Sequence, residues 1–240
     1  MLVEFLQIKQ KLIYPKSTKA TVHVAVQIVI VVKNLNMLYN HIKQRCHGHI
    51  QHFDAISEER KVTLSKLSEV IQKKKDANES IDLVFVCTHN SRRSVFGEIW
   101  GAIAAHYFGM SNVKTYSGGT VATAIHSNTI KCLVVNGLQI QSSGNDENLE
   151  YVIAYGESLS NTTFSKTFDD HANPQAAFIA VMTCEDAAEN CPFVPGAATR
   201  ISLTYDDPKQ FDGTFEEWKG YLQRSEQIAR ELLYVFSLIQ

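Results

Sequence analysis

The segment Cys87-Thr88-His89-Asn90-Ser91-Arg92-Arg93-Ser94 places a thiol six residues before an arginine. Side chains of these two types on one loop suit an oxyanion. The thiolate attacks the central atom, and the guanidinium grips two oxygens in fork geometry. Cys-x5-Arg alone arises by chance, so its flanks decide its weight. The apolar run Leu83–Val86 before it reads as a buried strand. The segment after it reads as a helix with Val95, Phe96, Ile99, Trp100, Ile103, Ala104 and Tyr107 on its apolar faces. At a strand-to-helix junction the backbone N–H groups of the loop and first helical turn converge and favour an anion. Thr88, His89, Asn90, Ser91, Arg92 and Arg93 then form an oxyanion cradle, and Ser94 can hydrogen-bond the sulfur. Dipole, loop amides and Arg93 together favour Cys87 as the thiolate. The alternative is a buried, inert cysteine beside a solvated arginine pair.

Other elements must hold that loop in place. Val113–Tyr116, Phe178–Thr183 and Arg200–Tyr205 read as three more strands, and Thr129–Val135 as a helix stopped by Gly137. Thr214 with Glu217 forms a capping box that opens a last helix through Phe236, with Trp218, Leu222, Ile228, Ala229, Leu232 and Phe236 on one side. Strands alternating with helices imply an α/β fold, a mostly parallel sheet covered on both faces. Residues 140–175 are polar and weakly patterned, which suggests a long loop or short helical pieces.

Upstream of Ile81 the pattern is helical. Leu38, Ile42, Cys46, Ile50 and Phe53 recur at spacings of three to four, and Ser57-Glu58-Glu59 opens a second helix buried through Leu64, Leu67, Val70 and Ile71. The expected organisation is an extension over 1–36, a helical hairpin over 37–80 and a catalytic unit over 81–240, with the polar stretch Lys73 to Ser80 as the boundary. The run Val22–Val32 is far shorter than the ~20 residues that span a bilayer. It could be a strand, an export-signal core, or part of an extension upstream of a working chain that begins near Met37.

Composition narrows the function. The chain has 240 residues, 45 % hydrophobic and 20 % charged, as in soluble globular proteins of one or two domains. Its 23 Lys and Arg against 25 Asp and Glu give a net charge of −2, which excludes a basic nucleic-acid binder. Neither nucleic acid nor membrane is expected as a partner. Five cysteines are an odd and sparse set for a disulfide framework, so a reducing, cytoplasmic setting is expected. There is no Walker-type loop or dinucleotide fingerprint, and no cofactor is expected. Cys46, His47, His49 and His52 cluster locally, but positions 47, 49 and 52 do not share a helix face, so no metal site is expected. Cys132 reads as core.

The stretch CTHNSRRS resembles the signature loop of the low-molecular-weight protein tyrosine phosphatase superfamily, which includes the thioredoxin-coupled arsenate reductases. The resemblance extends to Tyr116-Ser117-Gly118-Gly119, to the CEDAAENC segment from Cys184 to Cys191, and to Tyr205-Asp206-Asp207-Pro208. It implies a four-stranded parallel sheet flanked by helices, with the loop at the end of the first strand, and Asp207 as the general acid. Cys184 and Cys191 match a pair that works with the loop cysteine as a redox relay in the arsenate reductase branch. The implied reaction converts arsenate to arsenite with thioredoxin as reductant. Lys209 and Gln210 stand where the phosphatases place aromatic residues, which points the same way. The alternative is a phosphatase that hydrolyses phosphate monoesters through a phosphocysteine intermediate, with Cys184 and Cys191 as bystanders. Asn90, Glu98 and Ser117 match positions that help bind potassium in some arsenate reductases; their other role is to brace the loop. His89 replaces a usual glycine and Arg92 a common cysteine, and the hairpin before Ile81 is not part of the family's minimal domain.

Overall fold

A four-stranded parallel sheet, with Val113–Gly119, Ile81–Cys87, Phe178–Met182 and Ala197–Ser202 side by side in that order, forms the centre of the molecule. The computed structural model describes residues 37–144, 147–190 and 193–240; the extension 1–36 with its Val22–Val32 run, and Cys191, lie outside the described residues. The elements are α1 (Asn40–Ile50), α2 (Glu58–Asp76), β1 (Ile81–Cys87), α3 (Arg93–Tyr107), β2 (Val113–Gly119), α4 (Ser127–Val135), β3 (Gln139–Ser143), β4 (Glu150–Gly156), β5 (Leu159–Thr163), β6 (Phe178–Met182), α5 (Glu185–Asn190), β7 (Ala197–Ser202) and α6 (Glu217–Ser237).

The central strands explain the continuous apolar runs, because both of their faces are covered. Leu83, Phe85, Ile179 and Val181 point into the larger core, with Trp100 and Ile103 of α3 and Ile228, Leu232 and Phe236 of α6. Val84, Val86, Ala180 and Met182 point the other way, into a smaller core with Ala187 of α5 and Val194. The parallel pairing of β1 with β6 leaves their C-terminal ends side by side. They carry Cys87 and, two residues past Met182, Cys184.

The segment 37–80 joins the same body. Leu38, Ile42, Cys46, Ile56, Leu64, Leu67 and Ile71 are all within 4 % of full burial and belong to the larger core. Both α1 and α2 pack chiefly on α6, so each braces the body through that helix. Ser57 caps α2 as expected by accepting from Arg60 N at 3.2 Å.

Three expectations need correction. Residues 139–163 form a three-stranded antiparallel sheet, β3-β4-β5, not a loop or helical pieces. Its outer strands, QIQSS and LSNTT, are too polar to show an apolar alternation. The last parallel strand is Ala197–Ser202, earlier than Arg200–Tyr205. Leu203 N and Tyr205 N still bond Met182 O and Thr183 O at 2.9 and 3.1 Å, so the chain leaves the sheet as an extended segment toward Asp207. The capping box does not form, and α6 starts at Glu217. Thr214 Oγ1 instead accepts from Glu216 N at 3.2 Å, and Glu217 accepts from Gly213 N and from Asn128 Nδ2. Trp218 is consequently 40 % exposed, while Tyr221 is buried in its place. Among the described residues no helix is long and apolar enough to cross a membrane.

Candidate active site

The loop from Cys87 to Ser94 connects β1 to α3 and is fastened from outside through its carbonyl groups. Cys87 O accepts from Thr120 N, Thr88 O from Val121 N, Ser91 O from His126 N and Thr129 Oγ1, and Arg92 O from Phe96 N. His89 O accepts from Thr123 Oγ1 at 3.1 Å and Ser165 Oγ at 3.0 Å. With these carbonyls engaged, the N–H groups of Thr88 to Ser94 donate to no acceptor among the described residues. Backbone donors left without a protein partner beside a helix start form an anion site. Gly119 is needed at the rim, because a Cβ there would lie 2.8 Å from both Thr88 O and Asn90 N and 2.4 Å from Val121 O. The loop's left-handed residue is Asn90, at φ 45°, and not His89. Asparagine tolerates that conformation best after glycine, which explains how the loop accommodates His89.

The side chains divide into those beside the thiol and those that brace the loop. Cys87 Sγ lies 3.1 Å from Ser94 Oγ, as expected, and Ser94 Oγ accepts from Asn90 Nδ2 at 2.9 Å. Three of the residues expected in the cradle spend side-chain atoms on partners outside the loop. Asn90 Oδ1 accepts from Lys166 N, and Ser91 Oγ donates to Ala124 O. Arg92 donates to the Tyr221 hydroxyl at 2.5 Å and to Asp212 Oδ2 at 3.0 Å. Their backbones shape the cradle while their side chains stiffen it. Behind Arg92, His126 stacks on Tyr221, and burial with the Arg92 charge holds its imidazole below the usual range.

Arg93 reaches the acid expected opposite it. Its guanidinium donates to Tyr205 O at 2.9 Å and to Asp207 Oδ2 at 2.5 Å, and its buried Nε has no partner among the described residues. Asp207 also caps the short turn at Pro208 by accepting from Lys209 N. Cys184 Sγ lies 3.4 Å from Thr88 Oγ1 and accepts from Ala187 N at 3.3 Å. Two free, buried thiols therefore occupy neighbouring positions at one end of the sheet. A cleft of ≈ 540 Å³ opens over Cys184, lined also by Arg93, Tyr205 and Asp207, and by Arg60 and Arg224. Its aromatic residue is Tyr205, whose ring is covered by the Arg60 guanidinium at 4.8 Å.

Sequence reasoning misses Arg60 and Arg224. One signal for Arg60 is present, because it falls on the same helical stripe as Leu64, Leu67 and Ile71, where a charge is out of place.

The residues matched to a potassium site do not assemble as one. Glu98 and Ser117 meet, with Ser117 Oγ donating to Glu98 Oε2 at 2.6 Å. Thr163 Oγ1 and Asn161 Nδ2 also donate to that buried carboxylate, at 2.9 and 3.0 Å. Lys166 is 4 % exposed and lines a second cavity together with Glu98, supplying positive charge near it; burial pulls its amine below the usual range. Asn90 spends its amide on Ser94 and Lys166. A resident cation does not fit a carboxylate already satisfied in this way. Cys46, His47, His49 and His52 are likewise not brought together. The metal-type cluster among the described residues is His126, Asp212 and Glu217, whose carboxylates already serve Arg92, Tyr221, Asn128 and Gly213.

No family model matches the chain. It is 31 % identical over 142 residues to an arsenate reductase of Bacillus subtilis (strain 168), covering 59 % of this chain and 84 % of that protein. It is 28 % identical over 151 residues to an arsenate reductase of Halalkalibacterium halodurans, covering 62 % and 91 %. Among solved structures, a low-molecular-weight protein tyrosine phosphatase from T. tengcongensis matches with a TM-score of 0.42 and 15 % identity, over 67 % of this chain and all of that one.

Proposed function

Because the chain belongs to the arsenate reductase branch of the low-molecular-weight protein tyrosine phosphatase superfamily, we propose that it reduces arsenate to arsenite through a thiol relay that starts at Cys87. The observation that carries this proposal is the second buried thiol, Cys184, whose Sγ lies 3.4 Å from the hydroxyl of the residue next to Cys87. Hydrolysis of a phosphate ester has no use for it.

In the first step the Cys87 thiolate attacks arsenic, Asp207 protonates the departing oxygen, and water leaves. The free N–H groups of Thr88 to Ser94 and the Arg93 fork hold the remaining oxygens. An incoming oxyanion competes with Asp207 for Arg93, so substrate binding itself frees the carboxyl group for acid work. Ser94 supports the sulfur, and Asn90 holds Ser94. In the second step Cys184 attacks Cys87 Sγ. The bonding pair of the sulfur–arsenic bond stays on arsenic, which leaves as arsenite, and the two thiols have supplied two electrons as a Cys87–Cys184 disulfide. In the third, Cys191 attacks Cys184 and restores Cys87; thioredoxin in a reducing cytoplasm then reduces the Cys184–Cys191 pair. Bridged Cα atoms lie only ~4.4–6.8 Å apart, whereas seven residues of helix rise about 10 Å, so α5 must unwind at this stage.

The same groups, with water as the second nucleophile, would hydrolyse simple phosphate monoesters as a side reaction. Cys184→Ser separates the two chemistries. It is expected to stop multiple-turnover arsenate reduction and to leave p-nitrophenyl phosphate hydrolysis within about threefold of wild type, less than the loss of any acid–base group causes. Unimpaired arsenate turnover in this variant would remove Cys184 from the relay.

A further inference from the structure

The consecutive residues Tyr205, Asp206 and Asp207 are held by three arginines, of which Arg93 also donates to Tyr205 O. Asp207 pairs with Arg93 of the signature loop at 2.5 Å. Asp206 Oδ2 pairs with Arg224 of α6 at 3.0 Å. The guanidinium of Arg60, from α2, lies 4.8 Å over the Tyr205 ring. Arg60 is itself fixed by Glu231 of α6, through Nε at 2.9 Å and a terminal nitrogen at 2.8 Å, and the Glu231 side chain is only 4 % exposed. Gln227 Nε2 donates to the other Glu231 oxygen at 3.0 Å. All three arginines line the cleft above Cys184.

The three contacts do not have the same duty. Arg93 has to turn its fork to the substrate oxygens, and on doing so it releases Asp207. The chain around Asp207 lies outside any regular element, between the end of β7 and the short turn at Pro208. Something else must keep the acid over the leaving oxygen at that moment. We propose that Arg60 and Arg224 are positioning residues that hold the Tyr205–Asp207 segment in place while Arg93 is occupied by the oxyanion. Neither needs to touch substrate, because each already has a carboxylate partner, and Arg60 also has the Tyr205 ring. The inference rests on the proposed roles of Arg93 and Asp207. It also gives the segment 37–80 a task, since α2 carries one half of the clamp.

A misplaced acid matters most where the leaving group needs its proton. Phenyl phosphate expels a poor leaving group and p-nitrophenyl phosphate a good one, so the ratio of their kcat values reports acid placement and is blind to the fraction of folded enzyme. In Arg224→Gln the exposed Asp206 loses its partner, a change the fold tolerates. The double variant Arg60→Met, Glu231→Met removes the buried pair without leaving a lone charge. In both, the phenyl to p-nitrophenyl ratio is expected to fall about tenfold, with inhibition by inorganic phosphate unchanged and Arg224→Lys restoring part of the ratio. A ratio equal to wild type in both variants overturns the proposal, however far the total rate drops. Loss of phosphate inhibition at an unchanged ratio also overturns it, by making these residues anion ligands instead. A wild type that turns over neither ester and does not reduce arsenate refutes the underlying reaction, whereas an active wild type with unmoved ratios refutes only the clamp.

Discussion

Leu67 lies in α2 with no exposed surface, inside the core that also holds Trp100 and Phe236. Truncating it to alanine removes three buried carbon atoms and opens a cavity between α2 and α6, where Ser68 Oγ also donates to Val235 O at 2.9 Å. Such changes cost about 2–5 kcal/mol, a large share of the ~5–15 kcal/mol that holds a domain together. Whether the cost is felt locally or globally depends on whether 37–80 folds with the rest. The chain's two tryptophans, Trp100 and Trp218, both lie outside 37–80, and Trp100 meets the His49 ring of α1 edge-on at 5.7 Å, so in a shared core their fluorescence follows the loss of either part. With urea slopes of ~1–3 kcal/mol per molar, Leu67→Ala should move the tryptophan midpoint down by about 1–2 M, together with the circular dichroism midpoint. A variant in which helical dichroism melts early while the tryptophan transition stays put would refute the shared core, and 37–80 would be an appended unit after all.

Three further outcomes follow from burial and close packing. Burial pushes the Cys46 and Cys132 thiols up to about 12, so iodoacetamide at pH 8 should leave both unmodified in the native protein while Cys87 reacts; mass mapping that finds Cys46 or Cys132 labelled first would count against this core. Burial, with the Arg45 and Arg230 charges, lowers His49 to about 4, so the unfolded chain binds this proton first as pH falls below 6.5. Stability should drop between pH ~6.5 and ~4 by up to about 3 kcal/mol, and His49→Gln should flatten that slope in urea titrations at several pH values. Gly119→Ala should lower turnover at least about a hundredfold, as a small displacement of a catalytic loop does, because the added carbon meets backbone at 2.4 and 2.8 Å; wild-type kcat in a folded variant would show that the loop yields.

The features legible in the amino-acid sequence are those that are local in it. β1, the loop and the start of α3 are contiguous, and their residue types alternate as a doubly covered strand and an amphipathic helix require. The thiol and Ser94 therefore meet at 3.1 Å as their spacing implies, with Arg93 beginning the helix beside them. Asp207 and Cys184 are reached only by resemblance, and the parallel register then brings them to the same end of the sheet. The antiparallel sheet over 139–163 escapes a reading of the sequence because its outer strands carry no apolar period, although the middle strand sends Ile153 and Tyr155 into the core. Membership of the loop suggests that the side chains of Asn90, Ser91 and Arg92 face substrate. Their partners Lys166, Ala124 and Asp212 are 76, 33 and 120 residues away, and no spacing rule reaches that far. The same distance hides the clamp, since Arg60 and Glu231 are 171 residues apart.

The most direct test of the relay is to map disulfides by mass after adding arsenate without reductant. Wild-type protein is expected to yield about one arsenite per chain and a Cys184–Cys191 disulfide, and Cys191→Ser to stop at Cys87–Cys184, as exchange through successive thiolate attacks requires. Wild-type protein that stays fully reduced under those conditions, while hydrolysing phosphate monoesters well, would contradict the reductase and leave a phosphatase in its place.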